Sequence, residues 1–225
     1  MFNVFGKKDS TIQDDVIKEL KWDPSITSEQ ITVTAKDGIV TLRGSVPHYY
    51  EKSTAENAAQ RVGGVRAVAD EIEVNIMGSY ERSDSDIAEA ALTALKWNYS
   101  VPKGIHVAIE KGWITLKGET EWDYQRQAAQ NAVSQLMGVT GVSNDITLSA
   151  SSKPLVNMHE VEKNIQDAFR RSAKTEGNNI GIKIKGNQVT LSGKVHSYSE
   201  IEDANFAAWC SPGVFQVKNN LEITN

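Results

Sequence analysis

The sequence has little with which to do covalent chemistry. Cys210 is the only cysteine in 225 residues, which forbids an internal disulfide and favours a reducing compartment. It sits beside Trp209 at the end of a predicted helix, with no histidine placed to activate it, and is expected to be a buried or half-buried structural thiol. The four histidines are His48, His106, His159 and His196, and none has a second His or Cys at metal-ligand spacing. The carboxylate groupings Asp14-Asp15, Asp84 with Asp86, and Glu202-Asp203 fall on predicted helix surfaces. Nothing apolar surrounds them to raise a pKa, and near helix starts they oppose the macrodipole. Gly63-Gly64 closes a helix, the wrong end for holding phosphate on backbone N–H groups. No apolar run reaches the roughly 18 residues needed to span a bilayer. The opening residues Met1 to Lys8 lack a basic stretch followed by an apolar one, so no export signal is expected and the reading from this feature is cytoplasmic. No catalytic residue, cofactor, metal site or transmembrane segment follows from the sequence, and the chain reads as a non-enzyme.

What is present is repetition. Gly38-Ile39-Val40-Thr41-Leu42-Arg43-Gly44 returns as Gly112-Trp113-Ile114-Thr115-Leu116-Lys117-Gly118. It returns again, one residue longer, as Gly186 to Gly193. Leu42, Leu116 and Leu191 are thus 74 and 75 positions apart, the mark of one domain type written three times. A composition 40% hydrophobic and 24% charged is that of a globular chain. The net charge of -5 is unevenly shared. Residues 1–77 hold 9 Lys and Arg against 12 Asp and Glu, residues 78–150 hold 6 against 9, and residues 151–225 hold 9 against 8. Only the third copy would escape repulsion by an anionic surface, and a weakly acidic whole argues against a nucleic-acid partner.

Each copy reads helix, strand, strand, helix, strand. In the first, Ile12, Val16 and Leu20 recur at helical spacing over 9–20, with Ser10 or Asp9 as cap. Ile31 to Ala35 alternates with period two, and Asp37-Gly38 supplies the positive φ of a tight hairpin into Ile39 to Arg43. Gly44 is expected to end that strand. A helix over about 48–62 turns Ala55, Ala58, Ala59 and Val62 inward, and Ile72, Val74 and Ile76 mark the last strand. The fold class is therefore α+β: three tandem two-layer domains, each a three-stranded mixed sheet in order 1-2-3, covered on one face by two helices. The expected domains are 9–77, 83–149 and 155–225, joined by short polar linkers.

The strand Gly-x-Val-Thr-Leu-x-Gly, the alanine-lined helix and then Gly64-Val65, Val68, Asp70 and Ile72 resemble the BON domain. The last part recurs as Gly138-Val139, Val142, Asn144, Ile146 and as Gly213-Val214, Val217, Asn219, Leu221. The resemblance covers nearly the whole chain three times, and the chain looks like a triple-BON relative of the osmotically induced and outer-membrane-lipoprotein BON proteins of bacteria. It implies a non-enzymatic module of the cell envelope, tied to phospholipid surfaces and osmotic stress. Members usually carry two copies and an export signal, so it also implies a periplasmic location as the alternative to the cytoplasm.

Two surface features stand out. Arg170, Arg171 and Lys174 end the first helix of the third copy, while Lys183 and Lys185 alternate with buried isoleucines. The plainer reading is a solvated face, and the sharper one is contact with anionic lipid or an acidic partner. The second feature is aromatic: Trp22 and Trp97 are repeat-equivalent, Trp113 replaces Ile39, and Trp122 and Tyr124 gather with Tyr49, Tyr50 and Tyr198 near the starts of second helices. Packing between copies competes here with interfacial insertion. The leading functional expectation is peripheral association with phospholipid or an envelope protein. A cytoplasmic interaction or self-assembling scaffold, with homo-oligomerisation through edge strands, is the alternative, and a small-solute transport component a second.

Overall fold

In each copy the apolar positions recur every second residue along the strands and every third or fourth along the helices, and the chain folds accordingly. The computed structural model describes residues 7–149, 158–171 and 180–224. The first copy runs α1 (Asp9–Trp22), β1 (Ile31–Lys36), β2 (Ile39–Val46), α2 (Tyr49–Arg61) and β3 (Ala67–Val74). The second runs α3 (Asp84–Trp97), β4 (His106–Glu110), β5 (Trp113–Thr120), α4 (Asp123–Ser134) and β6 (Gly141–Leu148). The third runs α5 (Met158–Arg171), β7 (Ile180–Lys185), β8 (Gln188–Val195), α6 (Tyr198–Trp209) and β9 (Gln216–Ile223). Each sheet has the order hairpin strand, central strand, crossover strand, the first pair antiparallel and the second parallel. Lys174 lies outside the described residues.

Three separate cores result. The first gathers Ile12, Val16 and Leu20 with Val33, Val40, Leu42, Ala55, Ala58, Ala59 and Ile72, all buried. The second is built from Ile87, Ala91, Ile114, Leu116, Ala129, Val133 and Ile146, and the third from Val161, Ile165, Phe169, Val189, Leu191, Ala204 and Ala208. Alanine on the second helix of each copy lets helix and sheet approach closely. The helices cover one sheet face and leave the other open.

The structure departs from the sequence reading at several local points. The last strand of the first copy ends at Val74, so Ile76 lies beyond it. The central strand does not stop at Gly44 but continues to Val46, pairing with β3 beyond the end of β1. Gly44 is needed there because φ is +145° and a Cβ would stand 1.9 Å from the Gln30 carbonyl oxygen. Asp9 does not cap its own helix. Its carboxylate accepts the Asp37 and Gly38 backbone N–H groups at 2.8 and 3.0 Å, tying the helix start to the hairpin. Asp84 does the same for Lys111 and Gly112, both at 2.9 Å, while Ser83 and Asp86 form the capping box of α3. These bonds hold the carboxyl of Asp9 below the usual carboxylate range, chiefly through Gly38.

The domains meet head to tail. Tyr49, the first residue of α2, packs against the second domain's core, and its phenol receives a hydrogen bond from the Val142 backbone. Tyr198, the first residue of α6, packs against the first domain's core, and α2 lies against α6. Arg126 of α4 stacks over Trp209 of α6, 5.2 Å from the ring centroid. Each domain thus touches both others.

Candidate functional site on the third domain

The open sheet face is where the three copies differ most. On the first, Lys36 and Arg43 stand with Glu71 and Glu73, and Arg43 Nε donates to the Glu71 carboxylate at 2.6 Å. On the second, Lys117 is outnumbered by Glu110, Glu119 and Asp145. On the third, Lys183, Lys185, Lys194 and Lys218 face solvent with Glu222 as the one acid. Register makes this a built pattern: Lys183, Thr190 and Lys218 lie side by side across the three strands. Neighbouring strands are about 4.8 Å apart, so the two lysine Cα atoms stand roughly 10 Å apart. None of the four lysines has an ion-pair partner among the described residues. The face can hold anionic groups by charge and by the Thr190 hydroxyl, and it carries no group suited to bond making.

The basic residues named from the sequence do not form one patch. Lys183 and Lys185 lie on the open face, but Arg170 and Arg171 end α5, in the helical layer behind the sheet. Arg170 is engaged within its own helix by Asp167 at 3.6 Å. Lys194 and Lys218 complete the face. The signal for Lys218 is in the sequence, since the alternation of Val217, Leu221 and Ile223 puts it on the outer side.

The aromatics fall in three places. Trp22 and Trp97, 85% and 81% exposed, project from the ends of α1 and α3. Trp113 lies across Gly141 on the second domain's open face and donates from Nε1 to Ser143 Oγ at 2.9 Å. Trp122 and Tyr124 line a groove with Phe206, Trp209 and Cys210 between the second and third domains. Cys210 is exposed there instead of buried, because the last turn of α6 faces that groove and not its own core. Partial burial and the charge of Asp123 nevertheless push its thiol above the usual range, so thiolate is disfavoured. Among the described residues no group of three or more His, Cys, Asp and Glu is placed to hold a metal. No described helix is long and apolar enough to cross a membrane.

The family model for the BON domain matches residues 8–76, 83–150 and 158–225. The chain belongs to the BON-domain family. No curated protein matches it. Among solved structures it is similar to CdsD, a structural protein of the type III secretion system of Chlamydia trachomatis. The identity is 16%, with 94% of this chain and 91% of that chain covered, and the TM-score is 0.28. The C-terminal domain of CdsD gives 15% identity, 97% and 100% coverage and the same TM-score of 0.28, too low to carry any argument. The three BON domains are therefore the frame, and the lysine-bearing face belongs to the third of them.

Proposed function

We propose that this triple-BON chain is a non-enzymatic binding protein that docks through the open sheet face of its third domain on an anionic surface of the cell envelope, phospholipid headgroups foremost. The observation that carries it is the row Lys183, Thr190, Lys218 with Lys185 and Lys194 around it, the lysines without an ion-pair partner among the described residues on a chain whose net charge is negative. Each cation near an anionic leaflet contributes about 1 kcal/mol, and a Debye length of about 8 Å at physiological salt confines the effect to docked geometries. Attachment of this kind is weak, reversible and salt-sensitive. The exposed Trp22 and Trp97 favour the same reading, since indole rings suit the headgroup zone. Placement in the envelope is part of the proposal.

Co-sedimentation with vesicles tests it. The full chain should pellet with vesicles rich in anionic phospholipid at low salt, release at high salt and ignore neutral vesicles. Changing Lys183, Lys185 and Lys218 together to Glu should abolish pelleting. Binding that survives this change, or that favours neutral vesicles, would place the contact elsewhere. A chain that ignores vesicles but elutes as a stable oligomer would favour the scaffold reading.

A further inference from the structure

The three domain junctions are built on one plan and one of them is unfilled. Tyr49, Asp123 and Tyr198 occupy the same place, the first residue of the second helix in each copy. Tyr49 and Tyr198 each pack against the next domain's core. Asp123 does not. It turns back along its own helix to an ion pair with Arg126, and among the described residues the third core receives no apolar side chain from the second domain.

What stands there instead is a cleft of about 1000 Å³ between the end of β6 and the hairpin of β7 and β8. Its walls include Arg126, Leu148, Lys185, Trp209 and Val217. Val217 is the counterpart of Val142, the residue whose backbone meets the Tyr49 phenol, so the cleft lies where a tyrosine ring would lie. Trp209 gives it an aromatic wall, with the Arg126 guanidinium over that ring. The charge of Arg126 is already balanced by Asp123, but Lys185 at the rim has no ion-pair partner among the described residues.

We propose that this junction is a binding site for a planar aromatic anion. The ring takes the place of the missing tyrosine against Val217 and Trp209, and the anionic group meets Lys185. The size of the cleft, at the upper end of the usual range for small-ligand pockets, suits a fused or two-ring ligand better than a single phenyl group. Ring stacking and burial supply the affinity, and the single lysine supplies the preference for an anion.

The test uses 2-naphthoate and neutral 2-naphthol, titrated into the full chain with tryptophan fluorescence and thermal stability as readouts. Naphthoate should bind and raise the melting temperature, and naphthol should bind several-fold more weakly. Asp123→Tyr, made together with Arg126→Gln so that no unbalanced cation is left in the cleft, installs the plug that the other junctions carry. It should raise the melting temperature of the free chain and weaken naphthoate by an order of magnitude or more. Lys185→Gln should weaken naphthoate to the level of naphthol and leave naphthol unchanged. Should this double variant fail to fold, Trp209→Phe decides, because the fluorescence response must then be largely lost. Undiminished naphthoate binding in the double variant, an undiminished fluorescence response in Trp209→Phe, or no binding by the wild-type chain would overturn the proposal. The double variant leaves the lysine face intact, so its vesicle binding separates failure here from failure of the docking reading.

Discussion

The first and third domains share a fold strand for strand, yet their polar positions do opposite things. In the third, Asn219 Nδ2 donates to Asn205 Oδ1 at 3.0 Å, bridging β9 and α6. In the second, Asn144 Nδ2 donates likewise to Gln130 Oε1 at 3.1 Å. In the first, the same two positions hold Asp70 and Glu56, two carboxylates with no proton to share. Burial first, and then the charge of Asp70, push the Glu56 carboxyl above its usual range, with Lys52 only partly offsetting them. Lys52 stands 3.5 Å from Asp70 and also donates to the Ile72 carbonyl. On the open faces the relation reverses. The first domain neutralises Arg43 with Glu71, while the third leaves four lysines without an ion-pair partner among the described residues. An interior that tolerates like charge beside an exterior that balances it, against the converse, shows that one fold sets burial but not chemistry.

The largest effect that would sharpen this comparison lies in the backbone. Gly44→Ala in the first domain must push a Cβ into the Gln30 carbonyl at a φ of +145°. It should cost about 3 kcal/mol or more. Gly186→Ala in the third, at a φ of +58° with nothing within 4 Å of the new Cβ, should cost only about 1 kcal/mol. Chemical denaturation of the two variants measures both. Equal costs would mean that the close approach at Gly44 relaxes freely.

The next effect is pH-dependent. A carboxyl raised in the folded state gives stability that is fully present below its unfolded pKa and lost as pH rises through the folded one. Glu56→Gln replaces the acid with an amide that can donate to Asp70, as Asn144 and Asn219 donate in the other domains. It should stabilise the chain by about 1 kcal/mol at neutral pH, the worth of one hydrogen bond. The gain should shrink as pH falls through the Glu56 range. Asp9, Asp15, Asp23, Glu71 and Asp86 are lowered and act in the opposite sense, so the difference between variant and parent is the quantity to follow. A gain that stays constant down to about pH 4 would break the contrast between the acid pair and the amide pairs.

The smallest effect is expected at the surface. Glu71→Gln removes the partner of Arg43, and because both groups are well exposed the loss of stability should be small and should fade with salt. If that variant also began to bind anionic vesicles, charge alone and not the third domain's row of lysines would explain docking.

The repeat and the two-layer fold were legible in the sequence because they rest on periodicity, and the strand order because a strand–helix–strand crossover favours a parallel neighbour. Ile12, Val16 and Leu20 mark a helix by spacing alone, and Val40 and Leu42 mark a strand, whatever lies elsewhere in the chain. The same alternation put Lys183 and Lys185 on the open face. The length of β2 and the hairpin role of Asp9 were not legible, since each depends on a carbonyl or a turn about 14 or 28 residues away.

The amino-acid order by itself determined three copies of one domain and which face of each is greasy, because both follow from short-range patterns that backbone geometry enforces. Only the tertiary structure decided that Tyr49 and Tyr198 fill two junctions while Asp123 leaves the third open, and that Arg170 and Arg171 lie behind the sheet from Lys183. Those outcomes depend on which domain packs on which, through side chains far apart in sequence, and no periodic signal encodes that distance.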